Sequence, residues 1–281
     1  MPANLHPLFI WQPQNSSRYL TRKEDADTKR YGALTAGLAL AAALLAACGG
    51  GGGANQTASP VGPTDPQASV NFDPSFFSAE ITNRYFPWAS VCRTVLEGEE
   101  EVDGKRIKIR EESVRGNQAI NISGALTTYI EVLAYSDGKL VERAKDYFAQ
   151  GKDGWVYYFG EDVDEFEEGK VLHSGSWKVG WNETEPQEFI PPFPAQGGER
   201  FNQESVPDVA VEEVEVVAID ETVDIPAGTF AESLHWKEHD PISGTDAEKW
   251  LAPNVGMVKE TFKEGYLLLT EFSQECPSGG Q

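Results

Sequence analysis

The stretch VLEGEEEVDGKRIKIREESV, residues 95–114, decides the fold class. An acidic, partly apolar run leads to Asp103-Gly104, and a basic alternating run leaves it. An Asp-Gly pair between two such runs is a strong short-range hairpin signal, because a two-residue turn needs positive φ at both of its positions. Folded there, Glu99 and Glu101 come beside Lys105, Arg106 and Lys108, so opposite charges face each other across the strands. TTYIEVLAYS (127–136) and KLVERAKDYFAQ (139–150) repeat this grammar around Asp137-Gly138. Asp153-Gly154 and Glu168-Gly169 mark further turns.

Downstream, residues 209–219, 229–239, 247–251, 256–262 and 266–272 read as strands, the last two joined around Glu264-Gly265. No long segment has helical period, and the best short helix candidate is 73–83, with Asp73 as cap and Pro74 as first residue. The expectation is a mostly β domain of eight to twelve antiparallel strands with one short N-terminal helix. Such a series hides its edges and apolar face by curling into a barrel or half-barrel or by splitting into a sandwich, and the curled sheet is the expectation. Residues 186–203, rich in proline and aromatics, interrupt the strands and are expected to cross an open end as a lid or long connection.

Outside the domain, residues 31–48 are an unbroken run of small and apolar residues directly after Lys29 and Arg30, which is the order of a secretory signal. The run is short for a membrane span. It ends Leu45-Ala46-Ala47-Cys48, which resembles the lipobox of bacterial lipoproteins, and five glycines follow. The resemblance implies lipidation of Cys48 and removal of residues 1–47. Residues 48–70 then form a flexible tether of glycine, proline and small polar residues, and 71–281 the β domain. This places the chain in the cell envelope, bound to a membrane through the Cys48 lipid. Gly49, where an aspartate would favour inner-membrane retention in some bacteria, points to the outer membrane where there is one.

From Cys48 onward the chain carries 18 basic and 42 acidic residues, a formal charge of −24. Nucleic acid is excluded as a partner by that balance. In an oxidising compartment Cys92 and Cys276, near the two ends of the domain, are expected to pair.

DYFAQGKDGWVYYFGED (146–162) with EKWLAPNVGMVKE (248–260) resembles a family of uncharacterised secreted bacterial lipoproteins, which implies export and no particular activity. VDIPAGTFAESL (223–234) is similar to the strand–turn–strand of lipoproteins built on a LolA-like half-barrel. That resemblance implies an apolar ligand in a concave sheet.

Three classes of function follow. In the first, the sheet binds a small apolar or amphipathic ligand through Tyr147, Gln150, Tyr157 and Tyr158. In the second, an extracellular lyase or hydrolase uses Asp146, Tyr158, Glu161 and His239, because carboxylates that converge across the Asp153-Gly154 turn can share a proton or divide acid and base roles. A structural envelope protein recognised through a sheet edge is a third. His235 and His239 share a strand face, but without a third histidine close by no metal is assigned. Residues 161–169 lack the order of an EF-hand loop. No nucleophile elbow, zinc-protease motif, phosphate loop or dinucleotide fingerprint occurs, and no cofactor is expected.

Overall fold

The structure is a computed structural model that describes residues 71–276 except Glu168, Ser174 and Asp208. The signal segment, the Cys48 lipidation site and the tether lie outside the described residues. In chain order the strands are β1 (Phe77–Ser78), β2 (Arg93–Val102), β3 (Lys105–Arg115), β4 (Ile120–Ile122), β5 (Ala125–Ser136), β6 (Lys139–Gly151), β7 (Val156–Glu167) and β8 (Lys170–Leu172). They continue with β9 (Trp177–Lys178), β10 (Gln187–Ile190), β11 (Arg200–Val206), β12 (Ala210–Ile225), β13 (Gly228–Asp240), β14 (Thr245–Ala252), β15 (Gly256–Phe262) and β16 (Gly265–Ser273).

All belong to one antiparallel sheet, whose main path runs β10-β7-β6-β5-β3-β2-β16-β15-β14-β13-β12-β11. This is the mostly β, curled antiparallel sheet expected. The ladder is not closed, yet its two end strands lie side by side. Gln203 Nε2 on β11 donates to the Phe189 carbonyl on β10 at 2.8 Å, and Trp155 packs edge-on against Phe201 at 5.1 Å. Side chains thus bridge the seam.

The turn chemistry read from the sequence is what makes the strands reverse. Asp103 and Gly104 have φ of 51° and 72°, and Asp137 and Gly138 have 46° and 74°. Glu99 stands opposite Lys108 and Glu101 opposite Arg106. Gly98 is required for a different reason, since a Cβ there would lie 1.7 Å from the Tyr266 carbonyl oxygen. That glycine lets β2 and β16 approach.

The helix expected over 73–83 is replaced by one 3-10 turn, Pro74–Phe76. Asp73 does cap it, accepting from the Ser75 N–H at 2.9 Å. It stops there because Phe77 turns extended and pairs with Gly151 of β6, a long-range contact that outweighs local propensity. Residues 186–203 are more than a lid, for they supply β10 and the start of β11 and so connect the sheet's two ends.

Residues 81–92 cover one end of the curl with Ile81, Tyr85, Phe86, Trp88 and Val91, all buried. Phe86 packs on Phe148 and Phe189 with ring centroids 4.9 and 5.6 Å away. The irregular backbone needs partners of its own. Gln150 Oε1 accepts from the N–H groups of Thr82 and Asn83 at 2.6 and 3.0 Å, while Asn83 Nδ2 donates to the Pro191 carbonyl at 2.7 Å. The Cys92–Cys276 disulfide ties the end of this cover to the last strand.

Candidate functional site

The register assigns one inner face to the curl. Glu111 of β3 stands opposite Ala134, which stands opposite Glu142 of β6. Four residues along β6, Asp146 stands opposite Glu161 of β7. In the other half Trp236 of β13 is opposite Lys249 of β14, and Lys249 opposite Glu260 of β15. Curling brings these two halves together, so acids from distant strands meet inside. Nine carboxylate side chains are buried among the described residues, and Lys249 is the one buried lysine.

Around β6 and β7, Tyr158 stacks on Phe148 at 4.8 Å and its hydroxyl donates to Asp146 Oδ1 at 3.3 Å. Asp146 Oδ2 has no partner. Burial raises the Asp146 carboxyl well above the ordinary range, and Glu142 adds like-charge repulsion. Glu161 is raised by burial and then by Glu204. Glu204 accepts from Trp177 Nε1 at 2.7 Å, which favours its ionised form, yet burial still pushes it up to about 8. Glu142 reaches about 8 through burial and the nearby Glu165, and Glu111 about 7 through burial opposed by Lys249.

Across the interior, Lys249 Nζ lies 2.5 Å from Glu238 Oε2 and 3.9 Å from Glu260 Oε1. Burial alone would lower the lysine, but Glu238, Glu260 and Glu212 together hold it well up. Both oxygens of Glu260 lack a hydrogen bond, and burial pushes its carboxyl up to about 8 against the opposing pull of Lys249. Glu212 is only partly covered as a whole residue, but its carboxyl reaches the interior, hydrogen-bonds Glu238 and is raised well above normal by burial. Among the described residues no set of three or more His, Cys, Asp and Glu has the geometry to hold a metal ion.

A cavity lies between this cluster and the cover. Phe86, Trp88, Leu96, Phe189, Trp236, Leu251 and Met257 form its apolar wall, and Gln203, Glu212, Glu238 and Lys249 its polar one. It has room for little more than one water, about 20 Å³. A second, open depression of about 900 Å³ on the β11–β15 side is lined by both signs of charge, including Arg200, Lys237, His239 and Glu248.

Of the residues singled out from sequence, Asp146, Tyr158 and Glu161 come together on the inner face, sealed from solvent. His239 is elsewhere, on the outer face, bonded to Asp246 at 2.8 Å. Tyr147 donates to Asp162 at 2.7 Å and Tyr157 to Asp153 at 2.8 Å, and neither borders the interior cavity. Gln150 is occupied with the cover's backbone. Glu204, Lys249 and Glu260 were not singled out. A signal existed, since Lys249 alternates with Ala247 and Leu251, and Glu260 with Val258 and Phe262, each a charge in phase with an apolar face.

Fold and site together define a curled-sheet protein with an apolar end, a covering segment and an acid-lined interior. No protein-family model and no curated protein matches the chain. Among solved structures it is similar to a Bacteroides fragilis protein described as exported, with a YmcC-like fold, at 16% identity and TM-score 0.38. It is also similar to a Parabacteroides distasonis protein described as a lipoprotein, at 12% identity and TM-score 0.38. Each match covers 68% of this chain and 99% of the other. At that level of likeness neither informs the site.

Proposed function

We propose that this chain is a lipid-anchored protein of the cell envelope that holds a small amphipathic ligand inside its curled sheet. The anchor is Cys48, acylated after cleavage of the apolar segment before it. The observation that carries the binding reading is the two-sided cavity: Trp236, Leu251 and Met257 offer an apolar wall, while Glu212, Glu238 and Lys249 offer charge. Sites of this kind are mostly apolar with a few placed polar groups. Because the space holds about one water, loading requires the Phe86–Trp88 part of the cover to move aside.

Native mass spectrometry of the mature protein, released from its own host envelope, tests this directly. A reproducible small-molecule adduct is expected. A clean unliganded mass, with no rise in melting temperature when a crude host lipid and metabolite extract is added, overturns it. Anchoring is tested separately by labelling cells with a palmitate analogue, and loss of label in Cys48→Ser is expected.

The second reading is acid–base catalysis, favoured by the Tyr158–Asp146 hydrogen bond and the facing Glu161. It requires the same opening of the cover, since all three groups are sealed.

A further inference from the structure

One side chain fastens the far end of the cover. Arg115, the last residue of β3, donates from Nη1 to the carbonyls of Trp88 and Ala89 at 2.6 and 2.7 Å. Its other terminal nitrogen, Nη2, lies 2.6 Å from Cys276 Sγ and 3.4 Å from Cys92 Sγ. A single guanidinium therefore holds both the backbone of the cover and the disulfide that ends it. The Cys92 backbone adds two bonds, its N–H donating to the Ser273 carbonyl at 2.7 Å and its carbonyl accepting from the Arg115 N–H at 2.9 Å. Among the described residues these are the polar contacts that tie residues 88–92 to the sheet.

The two sulfurs are unequally placed. Cys92 is only 2% exposed, whereas Cys276 is open to solvent. An external thiolate therefore reaches the Cys276 sulfur first. Attack there forms a bond between the incoming sulfur and Cys276 Sγ, and the S–S bonding pair departs on Cys92 Sγ, which becomes a thiolate facing Arg115 Nη2. Exchange is faster when the leaving thiolate is stabilised, and a neighbouring arginine stabilises one. With a dithiol, the second thiol then attacks the first sulfur of its own chain and expels Cys276 as a thiolate beside the same Nη2. The dithiol is oxidised to its disulfide by two electrons, the protein disulfide is reduced by those two, and the two protons pass to solvent.

We propose that the Cys92–Cys276 disulfide is a redox latch on the cover, opened from the Cys276 side by a dithiol reductant, with Arg115 holding the leaving sulfur. Hydrogen bonds to an ionised acceptor are roughly twice as strong as those to a neutral one. Reduction thus draws the guanidinium away from the Trp88 and Ala89 carbonyls as the covalent tie to Cys276 is lost. The Phe86–Trp88 stretch, which walls the interior cavity, is then free to lift. From the binding reading the latch takes only the need for the cover to move aside.

The test uses the full acylated chain in zwitterionic-lipid nanodiscs at neutral pH, with glutathione as a monothiol and dithiothreitol as a dithiol. Without denaturant, glutathione is expected to form a mixed disulfide on Cys276 and leave Cys92 as the free thiol, mapped by peptide mass spectrometry. Arg115→Gln should slow reduction by dithiothreitol about tenfold, and Arg115→Lys should restore most of the rate. In the reduced chain, amide hydrogen exchange should quicken at least about tenfold over residues 81–92 and stay unchanged in β5 to β7. A glutathione adduct on Cys92, a disulfide reduced only as fast as the chain unfolds, or an Arg115→Gln chain reduced as fast as the parent overturns the latch. So does a cover whose hydrogen exchange ignores reduction, or a reduced chain that exchanges freely throughout. Should Arg115→Gln fail to fold, adduct mapping and hydrogen exchange on the unmutated chain decide. None of these readouts involves a ligand, so their failure leaves the binding reading standing, and a clean unliganded mass removes that reading without touching the latch.

Discussion

Replacing Glu260 by glutamine should stabilise this protein at alkaline pH. The carboxyl is fully buried, neither oxygen is hydrogen-bonded, and burial moves it from an ordinary 4.5 to about 8. Because the folded-state value is raised, the group's contribution to stability is fully present below about 4.5 and is lost as pH rises through about 8. At 1.36 kcal/mol per unit, the loss is bounded by roughly 4–5 kcal/mol above pH 8. Glutamine resembles the protonated acid and cannot ionise, so the variant escapes that loss. A competing view is that Glu260 is ionised and helps hold the Lys249 charge. Geometry favours the first, since Glu238 at 2.5 Å secures the ammonium and Glu260 at 3.9 Å makes no hydrogen bond. Urea unfolding followed by tryptophan fluorescence at pH 4.5, 6 and 8.5 measures the difference. The two proteins should agree within about 1 kcal/mol at pH 4.5, and the variant should be ahead by about 2–4 kcal/mol at pH 8.5. A variant less stable than the parent at pH 8.5 would refute the reasoning and make Glu260 a working partner of Lys249.

Four further outcomes follow from the same structure. Trp177→Phe removes the only hydrogen bond made to Glu204 by a side chain among the described residues and should cost about 1–3 kcal/mol in urea unfolding. The cost should grow from pH 5 to 8.5, because that bond favours the ionised acid. Replacing Cys92 and Cys276 together by serine opens a loop of sequence separation 184 and should lower unfolding free energy by about 5 kcal/mol, read as a shifted urea midpoint. Gly98→Ala, whose Cβ would overlap the Tyr266 carbonyl, should cost more than about 2 kcal/mol, or several degrees of melting temperature. Gly104→Ala, with open space but a φ of 72°, should cost about 1 kcal/mol.

Local chemistry was legible in the sequence wherever two or three residues determine the backbone. Asp103-Gly104 and Asp137-Gly138 specify their turns without outside help, and the long alternating strands follow from them. Strands β4, β8, β9 and β10 were harder, being two to four residues long, too short for a period to register. The helix signal at Asp73-Pro74 was real but was cut short by pairing with Gly151, which lies far along the chain. The site divides in the same way. Asp146 and Glu161 pair across one hairpin, but Tyr158 is three residues before Glu161, and a strict two-residue period would put those two on opposite faces; the register shift between Tyr147 and Phe148 brings both inside, and no local pattern announces it. Lys249 meets Glu111 and Glu204 only because a twelve-strand path curls back on itself, and no local pattern carries that information.

The acidity of the chain therefore has two physically different parts. Exposed carboxylates are hydrated and cost little, whereas those on the inner face lower stability whenever they ionise without a partner. A curl that needed only filling would be stabler with aliphatic residues at Glu111, Glu142 and Glu260, all in phase with apolar neighbours on their strands. The pH dependence of unfolding therefore reads out how far these buried carboxyls go without a partner, and Glu260→Gln should flatten it above neutral pH.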